Sequence, residues 1–495
     1  MTVTVNRNPK KSRPYDEPPK RRRSLIPNRP DSAAAGFFVA ATVWLVVATG
    51  IGLLAVAIRI VPIEFSFSLI LFDLAFNLDT RRVDAAFLNA TTFGWLTNVG
   101  FAAIAFMTPR LVGRPMAGER LLNVGVAIWN LALAGGIMAL YVFDLGPNSA
   151  LSAMPWFVEG GLATAALIVT GSFVLTAGAA IRTAYISTWF AGVALLSLLG
   201  LLGLNATIGL VELFIELPDL TVALVSMFVE RAVVTLWLLG VMYATLYYVV
   251  PRATGQPLAS GGLAILAWLT WLALAPLSPL AALRDPSIPY AITSVGAVAT
   301  MLLLVPAALT TANLALSMQG RWSLLFGTGT LAFAAVALVF LLATSLLAAI
   351  GTLDSVRAAV GGTDWETGVL LWITFGTCSF AGFACAEHAL PRILRRAWGG
   401  GSLAGAQLWL AFGGVTLAGL SLMGGGLAEA SLRAAGGAPD AVASSLVMYR
   451  VPAFIGLALV ALAALAMLAN LFLLYTSAEP AEYVLPGQPA VATGH

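Results

Sequence analysis

Histidine is nearly missing from this chain: its 495 residues hold two, His388 and the C-terminal His495. Imidazole is the commonest protein ligand for transition metals, so a centre that needs several histidines is excluded at the outset. Charge is scarce as well. Asp, Glu, Lys and Arg make up 10% of the residues, against about a quarter in water-soluble domains, and hydrophobic residues make up 59%. A soluble globular protein is thereby excluded in favour of an integral membrane protein. The two cysteines, Cys378 and Cys385, both lie in an apolar segment, so no disulfide framework is expected. Phosphate-loop, catalytic-triad and nucleotide-binding signatures are also lacking.

What is present is a succession of apolar segments, each near the length needed to cross a hydrocarbon layer about 30 Å thick. They run over residues 37–58, 87–107, 121–143, 157–181, 185–204, 222–250, 258–274, 291–316, 324–350, 365–393, 406–423 and 451–474. The expected fold class is therefore all-α, a polytopic membrane protein of about twelve transmembrane helices. The interval 60–77 is apolar too but contains Pro62, Glu64 and Asp73, which marks it as an interfacial or re-entrant piece. Residues 1–32 form a basic tail with Lys20, Arg21, Arg22 and Arg23, residues 33–476 the membrane domain, and residues 477–495 a second tail.

The first apolar run starts too late for a signal peptide, so the tail is read as a retained, disordered segment that fixes topology and touches anionic lipid, not nucleic acid. Connections that would share a side with the N-terminus hold Arg110, Arg114, Arg120, Arg182, Arg252, Arg321, Arg392, Arg395 and Arg396. Most acids fall in the alternate connections, among them Asp144, Glu212, Asp285 and Asp354. The positive-inside rule then puts both termini in the cytoplasm and the protein in the cell membrane.

Ionisable residues inside apolar segments are candidate sites, because burying them is costly unless they are paired or hydrated. Glu230 and Arg231 lie within the sixth segment toward its outer end, and Glu387 and His388 near the cytoplasmic end of the tenth. Together they form a candidate polar site. Cys378, Cys385 and His388 share roughly one helix face but spread over about 15 Å, too far for one metal ion. Asn98, Asn130, Asn205, Asn313 and Asn470 are expected to join helices by hydrogen bonds, and Glu159 to lie at the interface. No repeat of short fixed period is visible.

Four stretches carry a resemblance. Thr363-Asp364-Trp365 through Gly368 to Pro391-Arg392, Tyr247-Tyr248-Val249-Val250-Pro251-Arg252, Phe93 to Arg110 with Asn98, and Tyr185 to Phe190 fall in the tenth, sixth, second and fifth segments. In that order they resemble the catalytic subunit I of the cbb-type (C-family) cytochrome c oxidases, within the heme-copper oxidase superfamily. The resemblance implies a twelve-helix fold, heme b and copper as cofactors, oxygen reduction coupled to proton translocation, and partner subunits of a respiratory complex.

It also implies ligand positions, and those are changed. Where the family has histidines for its hemes, this chain has Phe87 (Leu88 or Asn89 in a shifted register), Val369 and Leu371, and for copper it has Arg231 with Leu277 and Ser278. The redox tyrosine expected between residues 258 and 276 is missing too. Val, Leu and Phe cannot ligate iron, and a charged Arg cannot ligate copper. Trp372 and Trp237 stand where bulk would fill emptied space. The resulting expectation is a heme-free relative with no cofactor or metal, acting as a structural, assembly or docking subunit in the bilayer beside other respiratory subunits. A channel or transporter for a small solute through the emptied core, and an active oxidase or nitric oxide reductase with non-standard ligands, are the alternatives.

Overall fold

A computed structural model describes residues 27–61, 66–69, 74–77, 80–142, 154–283, 285–325, 329–396, 398 and 401–476. The basic run at residues 20–23, Asp144 and the tail 477–495 lie outside the described residues.

A backbone in hydrocarbon must satisfy its own hydrogen bonds, and an apolar run does so as a helix. Among the described residues, eleven helices are long and apolar enough to cross a membrane. With one shorter helix they are α1 (Ser32–Ile60), α2 (Thr80–Val112), α3 (Glu119–Tyr141), α4 (Trp156–Ala180), α5 (Ile186–Val211), α6 (Asp219–Thr254), α7 (Gly261–Leu274), α8 (Tyr290–Ser317), α9 (Gly329–Gly351), α10 (Asp364–Leu394), α11 (Ser402–Ala434) and α12 (Pro439–Thr476). Between α1 and α2 an antiparallel hairpin pairs β1 (Ser66–Leu69) with β2 (Leu74–Asn77). The described residues of the interval 60–77 add no crossing helix, and Pro62, Glu64 and Asp73 lie outside them.

The seventh element is the short one. Its 14 residues extend about 21 Å. A tighter turn over Ser278–Ala282 continues it, and the Ser278 hydroxyl meets Thr300, ten residues into α8, at 2.8 Å. Two helix starts are capped by side chains: Ser260 accepts from the Leu263 N–H at the start of α7, and Thr363 accepts from the Trp365 N–H at the start of α10.

The two ends of the described chain share one face. Asp31, at the start of α1, holds Arg110 near the end of α2, and Arg396 beyond α10 donates to the carbonyls of Leu474 and Tyr475 at the end of α12. A twelve-crossing path requires this, with α7 and its following turn making one crossing. Where helices touch without side chains between them, glycine permits it: a Cβ on Gly414 of α11 would come 2.6 Å from the Gly456 carbonyl of α12. The centre belongs to α2, α6 and α10. The apolar window of α2 is enclosed completely, and Leu238 to Val250 of α6 and Thr374 to Ala386 of α10 are almost continuously buried.

Candidate functional site at the central axis

Each central helix is built to one plan. A wide π turn spans Ala90–Leu96 in α2, Val233–Leu238 in α6 and Trp372–Cys378 in α10. Thirteen residues after its last member comes a proline: Pro109, Pro251 and Pro391. An arginine follows each proline, and an aromatic ring precedes it by three, so the helices end in Phe106-Met-Thr-Pro-Arg110, Tyr248-Val-Val-Pro-Arg252 and His388-Ala-Leu-Pro-Arg392. The three arginines are 142 and 140 residues apart. Sequence reasoning missed this repeat because five residues recur only after a whole four-helix unit. The motif aromatic-x-x-Pro-Arg, met three times, was the available signal.

The repeat also sets how the helices hold one another. A π turn widens the backbone ladder, and the hydroxyl just after it fills the gap: Thr97 donates to the Thr92 carbonyl and Ser379 to the Thr374 carbonyl, both at 2.8 Å. Each of those hydroxyls accepts an indole N–H from another central helix, Trp237 to Thr97 at 2.8 Å and Trp95 to Ser379 at 2.7 Å. Glycines let the indoles in, since a Cβ on Gly100 would sit 3.2 Å from Trp237 and one on Gly382 3.4 Å from Trp95. The third edge breaks the pattern. Leu239 offers α6 no hydroxyl, and Thr377 pairs with Thr344 of α9 at 3.3 Å.

Along the axis the three helices contribute one residue each to successive layers. Leu96, Leu238 and Cys378 form one and Ala103, Thr245 and Cys385 another, around a cavity of about 20 Å³, room for roughly one water. The next layer closes the axis. Phe106, Tyr248 and His388 meet edge to face with ring centroids 5.9 to 6.2 Å apart. Beyond the rings lie the arginines. The Arg110 guanidinium stacks 3.8 Å over Phe106 and bonds both Asp31 oxygens at 2.7 and 2.8 Å, Arg252 lies 5.5 Å over Tyr248, and Arg392 donates to the His388 carbonyl.

The sequence-predicted residues fall into separate places. Glu230 precedes Tyr248 by 18 residues, about 27 Å of helix, so Glu230 and Arg231 lie at the opposite end from Glu387 and His388. The expected single polar site is therefore two. Arg231 is exposed, because its helix face looks outward, and it places no charge in the core as its position had suggested. Leu277 is exposed as well, whereas Ser278 is buried against Thr300. Glu387 lies at the start of α9, where a Cβ on Gly329 would be 3.4 Å from its carboxylate. His388 is buried in the ring layer, 17 residues past Leu371.

Leu371 is buried and Val369 half-buried. Phe87 reaches from α2 to α10 and stacks on Phe375, with centroids 6.1 Å apart and planes 5° from parallel. Gly52 of α1 makes the space, for a Cβ there would come 2.7 Å from the Phe87 ring. Trp372 leans away toward α11 and donates to the Val415 carbonyl at 3.0 Å. Among the asparagines, Asn98 and Asn130 join α2 to α3, Asn205 joins Glu159 at 2.6 Å, and Asn313 clasps Ser260. Glu159 is thereby buried, and Asn470 is buried on α12 without a protein hydrogen bond.

A family model described as cytochrome c and quinol oxidase polypeptide I matches residues 32–461. The chain belongs to that family. In fold it is similar to a heme-copper terminal oxidase dimer solved by electron cryo-microscopy, with a TM-score of 0.75 over 91% of this chain and 85% of that one, at 14% identity. A search of curated proteins found no match. The oxidase polypeptide I family thus accounts for the membrane domain, whose three central helices are those on which the ligand positions of the resemblance fall.

Proposed function

We propose that this oxidase-family chain is a heme-free member nearest the cbb-type branch, a non-catalytic structural, assembly or docking subunit of a respiratory-chain complex in the cell membrane, with both termini cytoplasmic. One observation carries the reading. The gap between α2 and α10, where the resemblance puts the low-spin heme, is spanned by the stacked rings of Phe87 and Phe375. A flat phenyl pair there fills volume that an unfilled heme slot would leave as a destabilising cavity.

The donor chemistry agrees. Heme b and copper would call for several imidazoles, and His388 is about 25 Å along α10 from Leu371. Among the described residues no group of three or more His, Cys, Asp or Glu gathers in a metal-binding arrangement. The residues of this chain do not fit the family's cofactors, and no reaction step is derived through them.

The optical spectrum of the protein purified from its native membrane tests this directly. A colourless protein is expected, and a Soret band with stoichiometric heme would sink the proposal. Co-purification from the same membrane should bring down integral partner subunits, and a chain that purifies alone at every detergent strength would remove the complex-subunit reading.

A further inference from the structure

The foot of the central axis carries more charge than helix ending requires. One basic residue per helix suits the partial negative charge of a helix C-terminus, and Arg110, Arg252 and Arg392 supply one each. Each lies one turn beyond a ring of the closed layer, whose centroids are 5.9 to 6.2 Å apart, so the three guanidiniums gather at one end of the axis. A fourth is added at some strain. The residue four positions after each proline is left-handed, and in α2 and α6 it is glycine, Gly113 at φ 71° and Gly255 at φ 67°. In α10 it is Arg395 at φ 54°. Among the described residues one other non-glycine is left-handed, Asp31 at φ 63°, and its carboxylate is the one gripped by Arg110. Both strained residues are charged and both stand at this end, where only surrounding interactions can keep them.

We infer that this ring binds a phosphate oxyanion presented by the headgroup of an anionic phospholipid. The Asp31 carboxylate on Arg110 already displays the two-pronged oxyanion grip that suits guanidinium. Arg252 and Arg392 are exposed one turn beyond buried Tyr248 and His388, and Arg395 is exposed two turns beyond His388. Basic pockets between membrane helices bind acidic headgroups by this chemistry. The inference is independent of whether the core holds heme.

The test uses the full-length protein, delipidated in a nonionic detergent, with its thermal unfolding followed during titration with phosphatidylglycerol, phosphatidylcholine or inorganic phosphate. Phosphatidylglycerol is expected to raise the midpoint, and phosphatidylcholine to leave it unchanged. The paired substitution Arg252→Gln with Arg392→Gln should weaken the phosphatidylglycerol response by at least about tenfold. Arg357→Gln, which removes a pair with Asp354 at the far end of the molecule, should leave the response intact. If the glutamine pair does not fold, Arg252→Lys with Arg392→Lys keeps the charges and loses the forks, and the same direction of change is expected. Inorganic phosphate matching the lipid at equal phosphate concentration keeps the oxyanion site and overturns the lipid as its source. Equal response to both lipids, or equal loss in Arg357→Gln, overturns the site.

Discussion

The two ends of the central three-helix axis differ in how much of the repeat they keep. At the arginine end all three helices carry an aromatic ring, a proline and an arginine in register, and the rings pack against one another at nearly equal distances. Toward the other end the register holds and the chemistry does not. The residues 20 before each proline are Asn89, Arg231 and Leu371, one polar, one cationic and one apolar. Packing that closes an axis constrains all three helices alike, because each ring is a neighbour of the other two. Asn89 and Leu371 are buried and Arg231 is exposed, so these three positions answer to separate surroundings.

The largest effect is expected from the indole links between these ends. Trp237→Ala removes a fully buried indole and the N–H that the Thr97 hydroxyl accepts, and should cost about 3–5 kcal/mol in reversible unfolding in detergent. A loss below about 1 kcal/mol would mean that the axis is not the stabilising core. Next, Phe375→Ala should cost about 3 kcal/mol. A double-mutant cycle with Phe87→Ala should return a coupling of about 0.5–1.5 kcal/mol, and zero coupling would break the assignment of that stack as a filled slot.

Smaller changes probe the arginine end. His388→Phe makes the third unit like the first, and unfolding should shift by less than about 1.5 kcal/mol, since ring packing is preserved. A much larger loss would give His388 a role beyond the aromatic layer. Arg395→Gly relieves the left-handed backbone and should stabilise the chain by about 1 kcal/mol when no anionic lipid is present. A destabilising result would show that the Arg395 side chain outweighs its backbone strain even without a ligand.

Much of the fold was legible because lipid leaves a chain few options. Segment length and apolar content marked twelve segments, of which the described residues make eleven long helices and a seventh of 14 residues, shorter than expected. The candidate site was legible only in part. Glu230 with Arg231 and Glu387 with His388 were visible as charged pairs in apolar segments, one toward the outer end and one toward the cytoplasmic end, and in the structure about 27 Å of helix separates Glu230 from the ring layer that holds His388. Hydropathy does not say which way Arg231 faces, and the outward orientation depends on how α6 is rotated against its neighbours. Hydrogen bonds such as Trp95 to Ser379 join residues 284 positions apart, a separation no local pattern reveals.

The sequence by itself determined that this is a helical membrane protein, because 59% hydrophobic residues in spans of bilayer length have no other stable arrangement. It also determined that the chain has two imidazoles in all to offer a metal. Only the tertiary structure decided that Phe106, Tyr248 and His388 are one layer, and that Phe87 lies flat on Phe375. Those contacts depend on the rotation and register of α2, α6 and α10 against one another, which side-chain packing sets and composition leaves open.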